Sequence, residues 1–224
     1  LIKRKKKPHR PGYDFVHQIL EKLQHWMSIR DLETKTIVLD TVRLGISIVA
    51  EHKKLLLPMI HTLWSPLQWR FLDADYRITN KALDIMTTMA RYGKSFVTRR
   101  FLDDLWPLLK QLMTLYNVHT TAGEKNVAKA NMATQYTQFT DAEAAFKMSQ
   151  SFKIQSAALH CVLAALAHLK LPLPTLLDIA NTTWFYLSEM QPPVLQELAC
   201  KIFSGLLDLE PNTTWMLLVE LSHA

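Results

Sequence analysis

The sequence predicts an all-α fold, a solenoid of stacked antiparallel helix pairs, and three observations predict it. Apolar residues recur at three- and four-residue spacing from one end to the other. No strong strand-like alternation or Asn-Gly hairpin signal interrupts them. The five glycines are dispersed, and the prolines fall mostly at the edges of the periodic segments. With 224 residues, 49% of them hydrophobic, the chain can bury a core as one domain or as one continuous piece of a repeat array.

The elements follow in order. Asp14 is a cap for a first helix carrying Phe15, Ile19, Leu23 and Trp26 on one face. Asp31 caps a second, which runs to about His52. A third covers Lys53 to Trp64 with a bend at Pro58, and Pro66 opens a short turn through Leu72. Asp73 and Asp75 precede a fourth, whose apolar stripe is Ile78, Ala82, Ile85, Met86 and Met89; Asn80, Lys81, Asp84, Thr87, Thr88 and Arg91 form its polar face. Gly93 ends it, where a helix stop favours glycine. Phe96 to Tyr116 is the next, interrupted by Pro107. From Asn117 to Thr140 periodicity fails, which reads as an exposed loop inserted in the array.

Asp141 caps the helix that follows. Phe152 to Leu169 is apolar nearly all round and should be central. Pro172 and Pro174 break it, and Leu176, Leu177, Ala180, Trp184 and Leu187 mark another. Pro192 and Pro193 start the next at the favoured first-turn position. Its stripe Leu195, Leu198, Ala199, Ile202 and Leu206 opposes Glu197, Lys201, Ser204 and Asp208. Thr213 to Ser222 is the last. Short connections force neighbouring helices to pack antiparallel. Four or five pairs of ~45 residues fill the chain, the period of HEAT-type arrays. The organisation is therefore a basic arm over 1–12, helix pairs over 13–116, the insertion over 117–140 and C-terminal helix pairs over 141–224.

Charge is unevenly placed. The formal net charge is +6, and Lys3, Arg4, Lys5, Lys6, Lys7 and Arg10 supply all of it, leaving 20 basic and 20 acidic side chains in the body. Such a cluster suits nuclear import or a polyanion, or is a solvated arm. No basic stripe along a helix extends it. Cys161 and Cys200 both fall inside apolar helical patterns and read as free buried thiols. The absence of a disulfide framework fits a reducing compartment, cytoplasmic and nuclear. No apolar run reaches the ~18 residues of a membrane span. The chain begins at Leu1 and reads as a piece of something longer.

No chemistry is legible. Phosphate-loop, dinucleotide, CxxC and HExxH motifs are absent, so no cofactor is expected. His160 and His168 lie eight residues apart, ~12 Å along a helix, too far to share a zinc whose ligands sit within ~2.1 Å; His17 and His25 fail alike. Asp73/Asp75 and Asp103/Asp104 read as caps and solvated faces rather than catalytic pairs. Trp64, Trp106 and Trp184 read as packing. The chain is therefore expected not to be an enzyme, with catalytic, cofactor-binding and metal residues all none.

Leu56-Leu57-Pro58, then Asp73, then Ile78 with Lys81-Ala82-Leu83 resembles the HEAT-repeat pattern, with Thr79 where the consensus has a basic residue. Leu57-Pro58 with Trp64 echoes Trp106-Pro107. Ser151 to Gln155, Tyr186-Leu187-Ser188 with Gln191-Pro192, Leu195-Gln196-Glu197, and Asn212 to Trp215 with Leu217-Leu218 and Glu220-Leu221 resemble the C-terminal repeats of the Tel-two-interacting protein one family. Leu57 to Pro107, with Arg100-Phe101 and Asp104, resembles the repeats before them. The resemblance covers roughly Leu55 to His223 without the loop. It implies a HEAT-repeat subunit of the Triple-T co-chaperone complex. Such a subunit assembles with the Tel-two protein and the second Tel-two-interacting protein, and works with the Hsp90 and R2TP machinery to mature PI3-kinase-related kinases.

Two functions from different classes remain on the sequence. The first is a non-catalytic scaffold: the last helix is apolar on most sides, although a terminal repeat needs a polar outer face. Trp215, Leu218 and Leu221 are the candidate partner-binding residues. The alternative is a helical-repeat adaptor that binds nucleic acid through the arm, with steep salt dependence.

Overall fold

The computed structural model describes residues 11–73, 75–116, 149–188 and 191–222. Within them it is an α-solenoid, with no strand among the described residues. The helices are α1 (Pro11–Trp26), α2 (Leu32–Val49), α3 (Lys53–Gln68) with a 3-10 turn at Trp69–Leu72, α4 (Tyr76–Gly93) and α5 (Ser95–Arg100). A π-helical turn (Phe101–Leu105) leads into α6 (Trp106–Tyr116). Then follow α7 (Gln150–His168), α8 (Leu173–Thr183) with a 3-10 turn at Trp184–Leu187, α9 (Pro193–Leu209) and α10 (Pro211–Ser222). Residues 1–10 of the arm, the 117–140 insertion and the Asp141 cap lie outside the described residues, while Pro11 and Gly12, assigned to the arm by the sequence, begin α1.

The helices form two rows. One is α2, α4, α7 and α9, each packed on the next; the other is α1, α3, α5–α6, α8 and α10. First helices begin at residues 11, 53 and 95, forty-two residues apart each time. That spacing lies in the ~40–47 range of HEAT and armadillo units. One continuous core runs between the rows from Leu20 to Leu206.

Most helix starts are where the sequence puts them. Asp31 accepts the amide of Thr34 at 2.7 Å, and Asp75 that of Arg77 at 2.8 Å. All five stripe residues of α4 and all five of α9 are buried. Pro58 sits in the second turn of α3, where it removes only the bond to Lys54. Pro66 does not end that helix, which runs on to Gln68. Pro107 cannot donate to the carbonyl four residues back, and the chain before it widens into a π turn closed by Trp106 N–H to the Phe101 carbonyl.

Other expectations change. α1 starts three residues before Asp14, so Asp14 lies in its first turn. It packs through Val16, Leu20 and Leu23, with Met27 just beyond its end, and leaves Phe15 and Trp26 exposed. Gly93 is still helical, and the left-handed residue is Lys94 (φ 48°). Gly93 is required for space instead: a Cβ there would collide with Val97 and come within 3.0 Å of Ile60. Gly45 similarly lets α1 approach α2, since a Cβ would stand 2.6 Å from Leu20. Cys161 is buried, and burial pushes its thiol up to about 12; Cys200 lies exposed on the outer side of α9.

Tryptophans staple neighbouring repeats. Trp64 Nε1 donates to Asp104 at 2.9 Å, linking α3 to the π turn. Trp106 Nε1 donates to Asp178 at 2.7 Å, linking α6 to α8 across the insertion. Lys110 donates to the same oxygen at 2.7 Å. Burial disfavours the Asp178 carboxylate, but hydrogen bonds from Lys110 and Trp106 outweigh it and hold its pKa below the usual range. Arg100 lies over the rings of both Trp64 and Phe96 and contacts His61. Asp104 is thus an inter-repeat acceptor rather than a cap, which spacing along one helix could not show.

Candidate partner-docking surface

α10 closes the described solenoid. Pro211 occupies its first turn, where its missing N–H costs nothing. Thr214 fixes the helix's rotation: it is buried and its hydroxyl donates to the Leu206 carbonyl of α9 at 3.3 Å. Leu217 and Leu218 then pack against the core, and Leu221 is half-buried. The opposite side carries Trp215 and Met216, 63% and 64% exposed, with Val219 exposed one turn on.

Of the three sequence candidates, therefore, Trp215 points outward while Leu218 turns to the core. Met216 is a surface residue that the sequence reading missed. Thr214 was the available signal: a polar residue in an all-round apolar helix marks a phase only if its side chain has a buried carbonyl to satisfy. Trp215 and Met216, with Leu207, Pro211 and Asn212, line an open groove of about 580 Å³. Leu209 beside it is also exposed.

Among the described residues no cluster of three or more His, Cys, Asp or Glu side chains could hold a metal ion. His160 uses Nδ1 against the Ser156 carbonyl at 2.8 Å. Tyr186, wholly buried beneath α8 and α9, has its hydroxyl pushed upward by burial and is a core residue. A second groove of about 380 Å³, between α4 and α7, is lined by Asn80, Asp84, Lys153 and His160 together with the apolar Phe152 and Ala157. Burial raises the Asp84 carboxyl there. None of the described helices is long and apolar enough to cross a membrane. The Lys3, Arg4, Lys5, Lys6, Lys7 and Arg10 cluster lies outside the described residues.

Comparison with known proteins decides the family. Residues 2–215 match the TTI1 C-terminal TPR domain. The chain belongs to that family. It is 28% identical over 204 residues to the mouse (Mus musculus) TELO2-interacting protein 1 homolog and 29% identical over 205 residues to the human (Homo sapiens) one. Each alignment covers 91% of this chain but 17% of the relative, so the chain spans about a sixth of the length of these curated relatives. The family's description says TPR, a unit of ~34 residues. The first three repeats here are 42 residues apart, the longer spacing expected from the sequence.

Proposed function

We propose that this chain is a non-catalytic scaffold module that holds a TELO2-type partner through the outer face of α10. The observation that carries the reading is the pair Trp215 and Met216, more than 60% exposed at the edge of an apolar groove on α10. Large apolar side chains left exposed together mark contact surfaces, and tryptophan and methionine are enriched at interface centres. Both relatives are named as TELO2-interacting proteins, and that name supplies the partner. On this reading the chain serves, as part of a co-chaperone assembly with TELO2 and a second interacting subunit, to mature and stabilise PI3-kinase-related kinases with the Hsp90/R2TP machinery, in cytoplasm and nucleus.

The test is co-precipitation of TELO2 with the intact protein carrying Trp215→Asp and Met216→Asp. Loss of TELO2 with an unchanged thermal melt supports the reading. Undiminished capture overturns it. Ile37→Asp and Leu44→Asp, on the exposed outer stripe of α2, are the control at the other end and should leave capture intact.

A further inference from the structure

The C-terminal end of the chain is acidic as well as apolar. From residue 171 onward the sequence carries Asp178, Glu189, Glu197, Asp208, Glu210 and Glu220 against a single base, Lys201. Two of the acids are neutralised within the fold: Asp178 by Lys110 at 2.7 Å and Glu197 by Lys201 at 2.6 Å. Among the described residues, Asp208, Glu210 and Glu220 have no ion pair. None of the three lines the groove itself; Asp208 and Glu220 are exposed, Glu210 is half-buried, and all three lie close along the chain to residues that line it. Asp208 follows the lining residue Leu207, Glu210 precedes Pro211, and Glu220 stands one turn beyond Met216 on α10.

From this placement we infer that the occupant of the α10 groove is a basic amphipathic helix of the partner protein, with an apolar stripe on Trp215 and Met216 and lysines or arginines facing Asp208, Glu210 and Glu220. An apolar centre with a charged rim is how helix-in-groove recognition divides its labour. The centre supplies affinity, while the rim sets polarity, on-rate and choice of partner. Like charges concentrated at one end of a fold repel one another and favour a partner of opposite sign. The inference rests on the docking reading above, and its test separates the two.

TELO2 binding by the intact protein is measured against salt and against the triple variant Asp208→Lys, Glu210→Lys, Glu220→Lys. Two 18-residue competitor peptides are added, one of leucine and lysine in helical amphipathic order and one with glutamate replacing lysine. Three rim charges predict a loss of roughly five- to tenfold in affinity for the triple variant. They also predict weaker binding at 0.5 M than at 0.05 M salt, and competition by the lysine peptide only. If Trp215→Asp abolishes TELO2 binding while salt and the triple variant leave it unchanged, the docking reading stands and the basic helix does not. If Trp215→Asp changes nothing, both fall. Competition by both peptides equally, or a Trp215-dependent dimer of the chain in sedimentation without TELO2 binding, also overturns the inference.

Discussion

α4 and α10 each bury one face, and their other faces could hardly differ more. α4 presents Asn80, Asp84, Thr88 and Arg91 away from its buried stripe, and its neighbours α2, α3 and α7 cover the rest. α10 presents Trp215 and Met216. Inside a solenoid a helix has neighbours on both sides, so its remaining face meets water and is polar. An outward tryptophan on α10 is compatible with the fold because Thr214, Leu217 and Leu218 on its other face hold the helix in place. The contrast separates side chains kept for folding from side chains kept for something outside the fold.

The largest expected effect lies within α4. Met86→Ala should lower unfolding free energy in urea by about 2–5 kcal/mol, because Met86 is wholly inaccessible and leaves a cavity. Gly93→Ala comes next. A new Cβ against Val97 and Ile60 should destabilise by about 1–3 kcal/mol, outweighing the helix propensity of up to ~1 kcal/mol that alanine gains. A neutral or stabilising result would mean that Gly93 is not needed for space.

Trp106→Phe should cost about 1.5 kcal/mol, the low end for a lost bond to a charged group, since Asp178 keeps Lys110. The same staple sets a pH dependence. The folded pKa of Asp178 is depressed, so its stabilisation is fully present above the unfolded carboxylate value of ~3.9 and is lost as pH falls through the lower folded value. The urea midpoints of wild type and Asp178→Asn should therefore differ at pH 7 and draw together as pH falls below the usual carboxylate value. Smallest of all is Trp215→Asp, expected to change stability by less than about 0.5 kcal/mol as a surface substitution. A large loss in calorimetry would move Trp215 from the docking class to the folding class, and the comparison between α4 and α10 with it.

Much of this was readable from residue order. The stripes of α4 and α9 were legible because each mixes apolar and charged residues, and such a mixture encodes a phase. The buried face of α1 lies a fraction of a turn from the one its largest side chains mark: Phe15 and Trp26 are large enough to look like core, yet Leu20 and Met27 fill it. Cys200 was misplaced for a similar reason, as it follows the buried Ala199 but falls on the outer side of α9.

The sequence by itself determined that the chain is helical, where most helices begin and end, and which faces of the well-patterned ones are buried. These are local properties, fixed by caps, prolines and a 3.6-residue period. The tertiary structure alone decided which helices are neighbours, and so joined Trp64 to Asp104 and Trp106 to Asp178 over separations of 40 and 72 residues. It also decided the rotation of α10, since a helix apolar on most sides has no preferred inner face until one polar group, Thr214, finds its carbonyl on α9.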